Sequence, residues 1–203
     1  MKKFISILSL TMLCALFVAC KKHKPVVVES ISQLVPENVI STDREEMFLK
    51  WGENYKWFES CVVLKNYLDT DSASNEVESI TNIFQALEPH ASGFDTFVVF
   101  METKEDVTDV NTVHSFWVED FPLDTADIEL TFEGAYNRVM AANYPKPHSR
   151  NVVLRKEVGP NDCNPQYIFG NMRSQLYVDA VTGEVTDQNP VFKGIDLDYS
   201  FTW

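Results

Sequence analysis

Glycine is scarce in this chain: seven of 203 residues, at Gly52, Gly93, Gly134, Gly159, Gly170, Gly183 and Gly194. No two are close enough to form a phosphate-cradling loop or a nucleophile elbow. Histidine is equally sparse. His23, His90, His114 and His148 make no i, i+4 pair, which excludes the usual helical zinc site. The four cysteines include no CxxC pair, the spacing of redox motifs and zinc knuckles. Asp69-Thr70-Asp71 begins like a calcium loop. Ala73, Ser74 and Ile80 then stand where a fifth-position ligand, the turn glycine and the closing glutamate belong. Basic residues are few, 17 against 30 acidic ones, for a net charge of −13. Phosphate neutralisation needs a cationic surplus, so nucleic acid is excluded as a partner. These absences lead us to expect no catalytic set, no cofactor and no metal.

Apolar material is plentiful by contrast. Hydrophobic residues make up 45% and aromatics 12%, enough for a packed core. The longest apolar run lies at the N-terminus. Lys2 and Lys3 precede Phe4 to Val18, which is interrupted only by Ser6, Ser9 and Thr11. The run is short for a bilayer and ends at the small residue Ala19, as an export signal does. Phe17-Val18-Ala19-Cys20 resembles a bacterial lipobox, with Phe17 in place of the usual Leu. The resemblance implies that residues 1–19 are removed and that Cys20 carries the lipid. Cys14 follows the bulky Leu13 and is a poorer candidate.

Beyond the signal the charge is uneven. Lys21, Lys22 and Lys24 form a basic stub in a tether expected over 20–41. From Pro25 onward there are 12 basic and 30 acidic residues, net −18. The stub lacks the acidic residues associated with surface export in Bacteroides-type lipoproteins. The expected address is therefore the bacterial cell envelope, lipid-anchored in the outer membrane and facing the periplasm. Cys61 and Cys163 remain in the body. An oxidising compartment permits a disulfide between them. The apolar surroundings of Cys61 and the polar surroundings of Cys163 favour two separate thiols.

Periodicity predicts the elements. Thr42-Asp43-Arg44-Glu45 reads as a capping box for a helix over 43–50, ended by Gly52. Residues 55–68 are rich in β-formers. Val77, Ile80, Ile83, Phe84 and Leu87 fall on one helical face. Strands are expected over 94–101 and 110–118, joined through the charged 103–108 loop. Thr131 is a candidate N-cap for a helix carrying Phe132, Ala135, Tyr136, Val139 and Met140. Strands follow over 151–158, 167–169 and 176–179, and 195–203 is expected to add an edge strand. The pattern repeats at an offset of about 56 residues. It predicts an α+β fold of two α-β-β units over 42–120 and 121–203, an antiparallel sheet with helices on one face.

The helix 131–143, the strand 151–158 and the run Tyr177-Val178-Asp179-Ala180-Val181-Thr182-Gly183-Glu184-Val185 resemble a PepSY-type unit. The mature chain also resembles uncharacterised Bacteroides-type lipoproteins. That likeness lies in Cys61-Val62-Val63-Leu64-Lys65-Asn66-Tyr67-Leu68-Asp69, Asn82-Ile83-Phe84-Gln85 and Asn164-Pro165-Gln166-Tyr167-Ile168-Phe169-Gly170-Asn171. The PepSY resemblance implies a small envelope module with no catalytic residues, in some cases one that restrains a peptidase. The Asp179–Gly183 run also has a structural account, a hairpin turn bonded through its Asp and Thr side chains.

One local inversion of charge stands out: Lys146, His148, Arg150, Arg155 and Lys156. It reads either as a dock for an acidic peptide or carboxylate, or as cations paired with neighbouring acids. The expected function is a lipid-anchored, non-enzymatic binding module with a protein or peptide ligand, for which an exposed sheet edge offers strand addition. The alternative is a structural envelope protein that self-associates or joins an outer-membrane assembly. An aromatic patch of Trp51, Tyr55, Trp57, Tyr199, Phe201 and Trp203 would favour it.

Overall fold

The computed structural model describes residues 33–195. The predicted signal, Cys20, the basic stub and, past Ile195, the predicted C-terminal edge strand lie outside them. Helix α1 spans Pro36–Trp51. Strands β1 (Tyr55–Leu64), β2 (Val77–His90), β3 (Gly93–Lys104) and β4 (Val107–His114) follow, then the short β5 (Asp120–Phe121). Helix α2 spans Phe132–Ala141. The chain continues through β6 (Asn151–Glu157), β7 (Gln166–Asn171), β8 (Ser174–Asp179) and β9 (Val185–Thr186).

All nine strands join one antiparallel sheet in the order β4-β3-β2-β1-β6-β7-β8-β9, with β5 pairing to β6. This overturns the predicted α+β fold of two α-β-β units. The fold is dominated by one sheet, and α1 and α2 are the only α-helices among the described residues. The segment read as a helix over 77–87 is β2. It pairs from Val77↔Leu64 to Ala86↔Tyr55 on one side and from Ser79↔Lys104 to His90↔Gly93 on the other. Pairing along both edges outweighs a local periodicity. The supposed offset aligns Ile83 and Phe84 of a strand with Val139 and Met140 of a helix, so the repeat is absent. The predicted 120/121 boundary falls inside β5, and β1 pairs with β6 across it.

The start of α1 also differs from expectation. It begins at Pro36, inside the predicted tether, because proline suits the first helical position. Thr42 is no cap: its hydroxyl donates to the Asn38 carbonyl at 3.0 Å. The cap on α2 is as expected, with Thr131 Oγ1 accepting from the Gly134 N–H at 3.1 Å. The Asp179 turn is also as expected. Asp179 Oδ1 accepts from the N–H groups of Val181 and Thr182, and Gly183 takes φ 73°, where a side chain is disfavoured.

Strand alternation sorts the side chains to two faces. Val62, Ile80, Phe84, Val99, Leu154 and Phe169 share one face and one core cluster with residues of both helices. The helices cover unequal parts of that face. α1 lies against β1 and β2, and α2 against β7 and β8. The β3–β4 end therefore projects beyond the helices, and every residue of β4 is exposed.

Phe84 is fully buried at the centre of this core. Phe84→Ala is expected to lower unfolding free energy by about 3–5 kcal/mol in urea denaturation. Phe116→Ala, at a residue 67% exposed, is expected to change it by less than about 0.5 kcal/mol.

Candidate functional site

The predicted basic cluster does not form one patch. Lys146 Nζ donates to the carbonyls of Ala142 and Tyr144, just past the end of α2. His148 stacks on Tyr67 and meets Asp69 at 3.0 Å. Arg150 donates to Glu78 Oε2 at 2.6 Å. Lys156 lies 3.4 Å from Asp162. Arg155, on the opposite strand face from Lys156, bonds the Glu157 carboxylate. Each cation thus has an acceptor within the chain, an acid for His148, Arg150, Arg155 and Lys156 and backbone carbonyls for Lys146.

Arg155 sits in a row across the sheet face that carries neither helix. The registers place Phe100, Ile83, Glu59, Arg155, Gln166 and Asp179 side by side. Glu59 Oε2 and Asp120 Oδ1 each lie 3.8 Å from the guanidinium. Asp120 Oδ2 accepts from Trp117 Nε1 at 3.0 Å, which ties the segment before β5 to this row. Among the described residues, Asp120 Oδ1 and Arg155 Nε have no hydrogen-bond partner. Burial raises the Asp120 carboxyl to about 7, against the lowering effects of the Trp117 bond and the Arg155 charge. Cys61 Sγ donates to Glu59 Oε1 at 2.8 Å. Burial, then the Glu59 charge, raise the Cys61 thiol far above its ordinary value, so it is a poor nucleophile. Cys61 and Cys163 are separate free thiols.

A recess lies on the helix-bearing face. A cleft of about 580 Å³ opens between α1 and the 125–131 segment. Ile40, Trp57, Leu154 and Tyr167 are its buried residues, and Arg44, Glu45 and Phe48 reach it from α1. The polar atoms of its aromatic walls are spent internally. Trp57 Nε1 donates to the Glu59 carbonyl at 3.1 Å, Tyr55 Oη to the Arg44 carbonyl at 3.0 Å, and Tyr167 Oη to the Leu130 carbonyl at 2.9 Å. Burial raises the Tyr167 hydroxyl well above its usual value, so it stays protonated. Arg44 Nη1 donates to Thr125 Oγ1 at 2.9 Å, and its guanidinium lies 6.0 Å from the Trp57 ring centroid. The cleft therefore offers apolar ring faces beside one guanidinium, with the exposed Glu45 and Glu129 also lining it.

The sequence offered no motif for this cleft, whose residues come from 37 to 167. Of the aromatic patch proposed from sequence, Trp57 is buried, and Trp51 and Tyr55 are half-buried. Tyr199, Phe201 and Trp203 lie outside the described residues. No family model, curated protein or solved structure matches the chain.

The raised Asp120 has a signed consequence for stability. Between pH 4 and 7 the folded state holds a proton that the unfolded state releases, so stability falls as pH rises through this window. Asp43, raised to about 6 by burial, acts with the same sign over a lower range. Urea midpoints of the wild type are expected to fall from pH 6 to 7.5. Asp120→Asn, which keeps an acceptor for Trp117, is expected to flatten that fall.

Proposed function

We propose that this chain is a lipid-anchored, non-enzymatic binding module of the bacterial cell envelope. Its address is the outer membrane facing the periplasm, and its ligand is a protein or peptide held at the α1 cleft. The cleft carries this reading. Its volume lies in the range of specific binding pockets, and its aromatic walls hold their own polar groups internally. Such walls present contact surface more than reactive groups.

A macromolecular ligand is favoured by the surface beside the cleft. Phe48 is 53% exposed and Leu49, next to it on α1, is 77% exposed. Phe48 carries apolar surface to the cleft's rim, and Leu49 adds a second exposed apolar side chain about 100° round the helix. A peptidase is the partner class that the PepSY resemblance implies. Cys20 anchors the module, and the basic stub of Lys21, Lys22 and Lys24 favours anionic headgroups.

A photoreactive residue at Leu49, in the full chain within native envelopes, tests the reading. An adduct with an envelope protein or peptide is expected. Phe48→Asp is expected to reduce it about tenfold or more. Cys20→Ser is expected to release the chain from the membrane fraction. An equal adduct yield from a probe at the fully exposed Met172, unaffected by Phe48→Asp, would contradict the proposal.

A further inference from the structure

The β4 edge carries a second, independent feature. β4 ends the sheet, and its pairing with β3 runs without a break from Lys104↔Val107 to Phe97↔His114. Natural edges are usually blunted by proline, lysine or a bulge. β4, with the sequence Val-Thr-Asp-Val-Asn-Thr-Val-His, has none of these.

The two-residue loop Glu105-Asp106 fixes which backbone groups are free. Lys104 and Val107 flank it and form a hydrogen-bonded pair, and such pairs alternate along the hairpin. Val107, Asp109, Asn111 and Val113 are thereby bonded to β3. Ser115 continues the series, its N–H reaching the Thr96 carbonyl at 3.1 Å. Thr108, Val110, Thr112 and His114 turn their N–H and C=O groups to the open edge.

The side chains are symmetric about the middle of the strand. Val107, Val110 and Val113 are 64%, 53% and 45% exposed, and they stand three residues apart with Val110 at the centre. A two-fold axis at Val110 sets valine against valine throughout. Thr108 then faces Thr112, and Asp109 faces Asn111 rather than another acid. Asp106 of each copy faces His114 of the other, so the loop carboxylate meets an imidazole rather than another acid. No carboxylate opposes a carboxylate, in a body whose net charge is −18 from Pro25 onward.

We infer that β4 is a self-association edge. Two copies of this chain pair antiparallel through it, in the register centred on Val110, and continue the sheet from one copy into the other. This does not rest on the ligand proposed for the α1 cleft.

The test is thiol crosslinking of the full lipidated chain in its native envelope, with a short bismaleimide spanning about one strand spacing. Val110→Cys is expected to give a homodimer band at twice the chain mass. Thr108→Cys places its two sulfurs four residues out of register, about 14 Å apart along the strands, and is expected to crosslink at least tenfold less. Adding Thr112→Pro to Val110→Cys removes an outward N–H without touching the β3 ladder and is expected to abolish the dimer. The chain without an added cysteine controls for Cys61 and Cys163. No homodimer from Val110→Cys, equal yields from positions 108 and 110, or adducts only with other proteins would overturn the inference.

Discussion

A buried hydrogen-bond chain of three side chains ties α1 to the sheet. Asn82 Nδ2 on β2 donates to Asp43 Oδ2 on α1 at 2.6 Å, and Ser60 Oγ on β1 donates to Asn82 Oδ1. All three residues are buried. A buried polar atom stripped of its partner costs about 1–3 kcal/mol, so the three groups hold one another in place. Burial raises the Asp43 carboxyl to about 6, against the lowering effect of its Asn82 bond. Near neutral pH it is mostly ionised and accepts strongly. Pro36, Ile40 and Met47 complete the buried face with apolar contact. The other polar contacts of α1, Arg44 to Thr125, Tyr55 to the Arg44 carbonyl and the Phe132 N–H to Glu37, lie in exposed or part-buried positions. The Asp43–Asn82 bond is the buried polar contact between α1 and the sheet, and it favours one register of the helix.

The cleft depends on that register. Arg44 follows Asp43 directly, and Ile40 and Phe48 lie within about a turn of it on either side. A slip of α1 along the sheet would carry Arg44 away from Thr125 and Trp57. The same helix placement leaves β4 uncovered, since α1 packs on β1 and β2 of the sheet and every residue of β4 is exposed. The proposed ligand site and the proposed pairing edge thus lie on separate parts of one sheet, and occupation of one leaves the other open.

The same interaction explains what the sequence concealed. Asn82 stands on the core face of β2 between Ile80 and Phe84. It breaks the alternation a strand would show and leaves a spacing that imitates a helix. Asp43 does the same to the buried stripe of α1. Where no polar residue enters the core, local signals served well: the Thr131 cap, the β6 strand and the Asp179–Gly183 turn all follow from neighbouring residues. The partners of the basic cluster are only partly local: Glu157 and Asp162 lie close to Arg155 and Lys156 in sequence, whereas Arg150 meets Glu78 and His148 meets Asp69 from far along the chain. The cleft left no local trace, since the sheet assembles it from α1, β1, β6, β7 and a loop.

A double-mutant cycle on Asp43→Ala and Asn82→Ala, read by urea denaturation at pH 7.5, tests the central claim most directly. Each single change strands a buried polar partner, so the two losses overlap. The account predicts that the double variant is more stable than the sum of the single losses implies, by about 1–3 kcal/mol. Losses that add to within about 0.5 kcal/mol would contradict it, and the register of α1 would then rest on its other contacts.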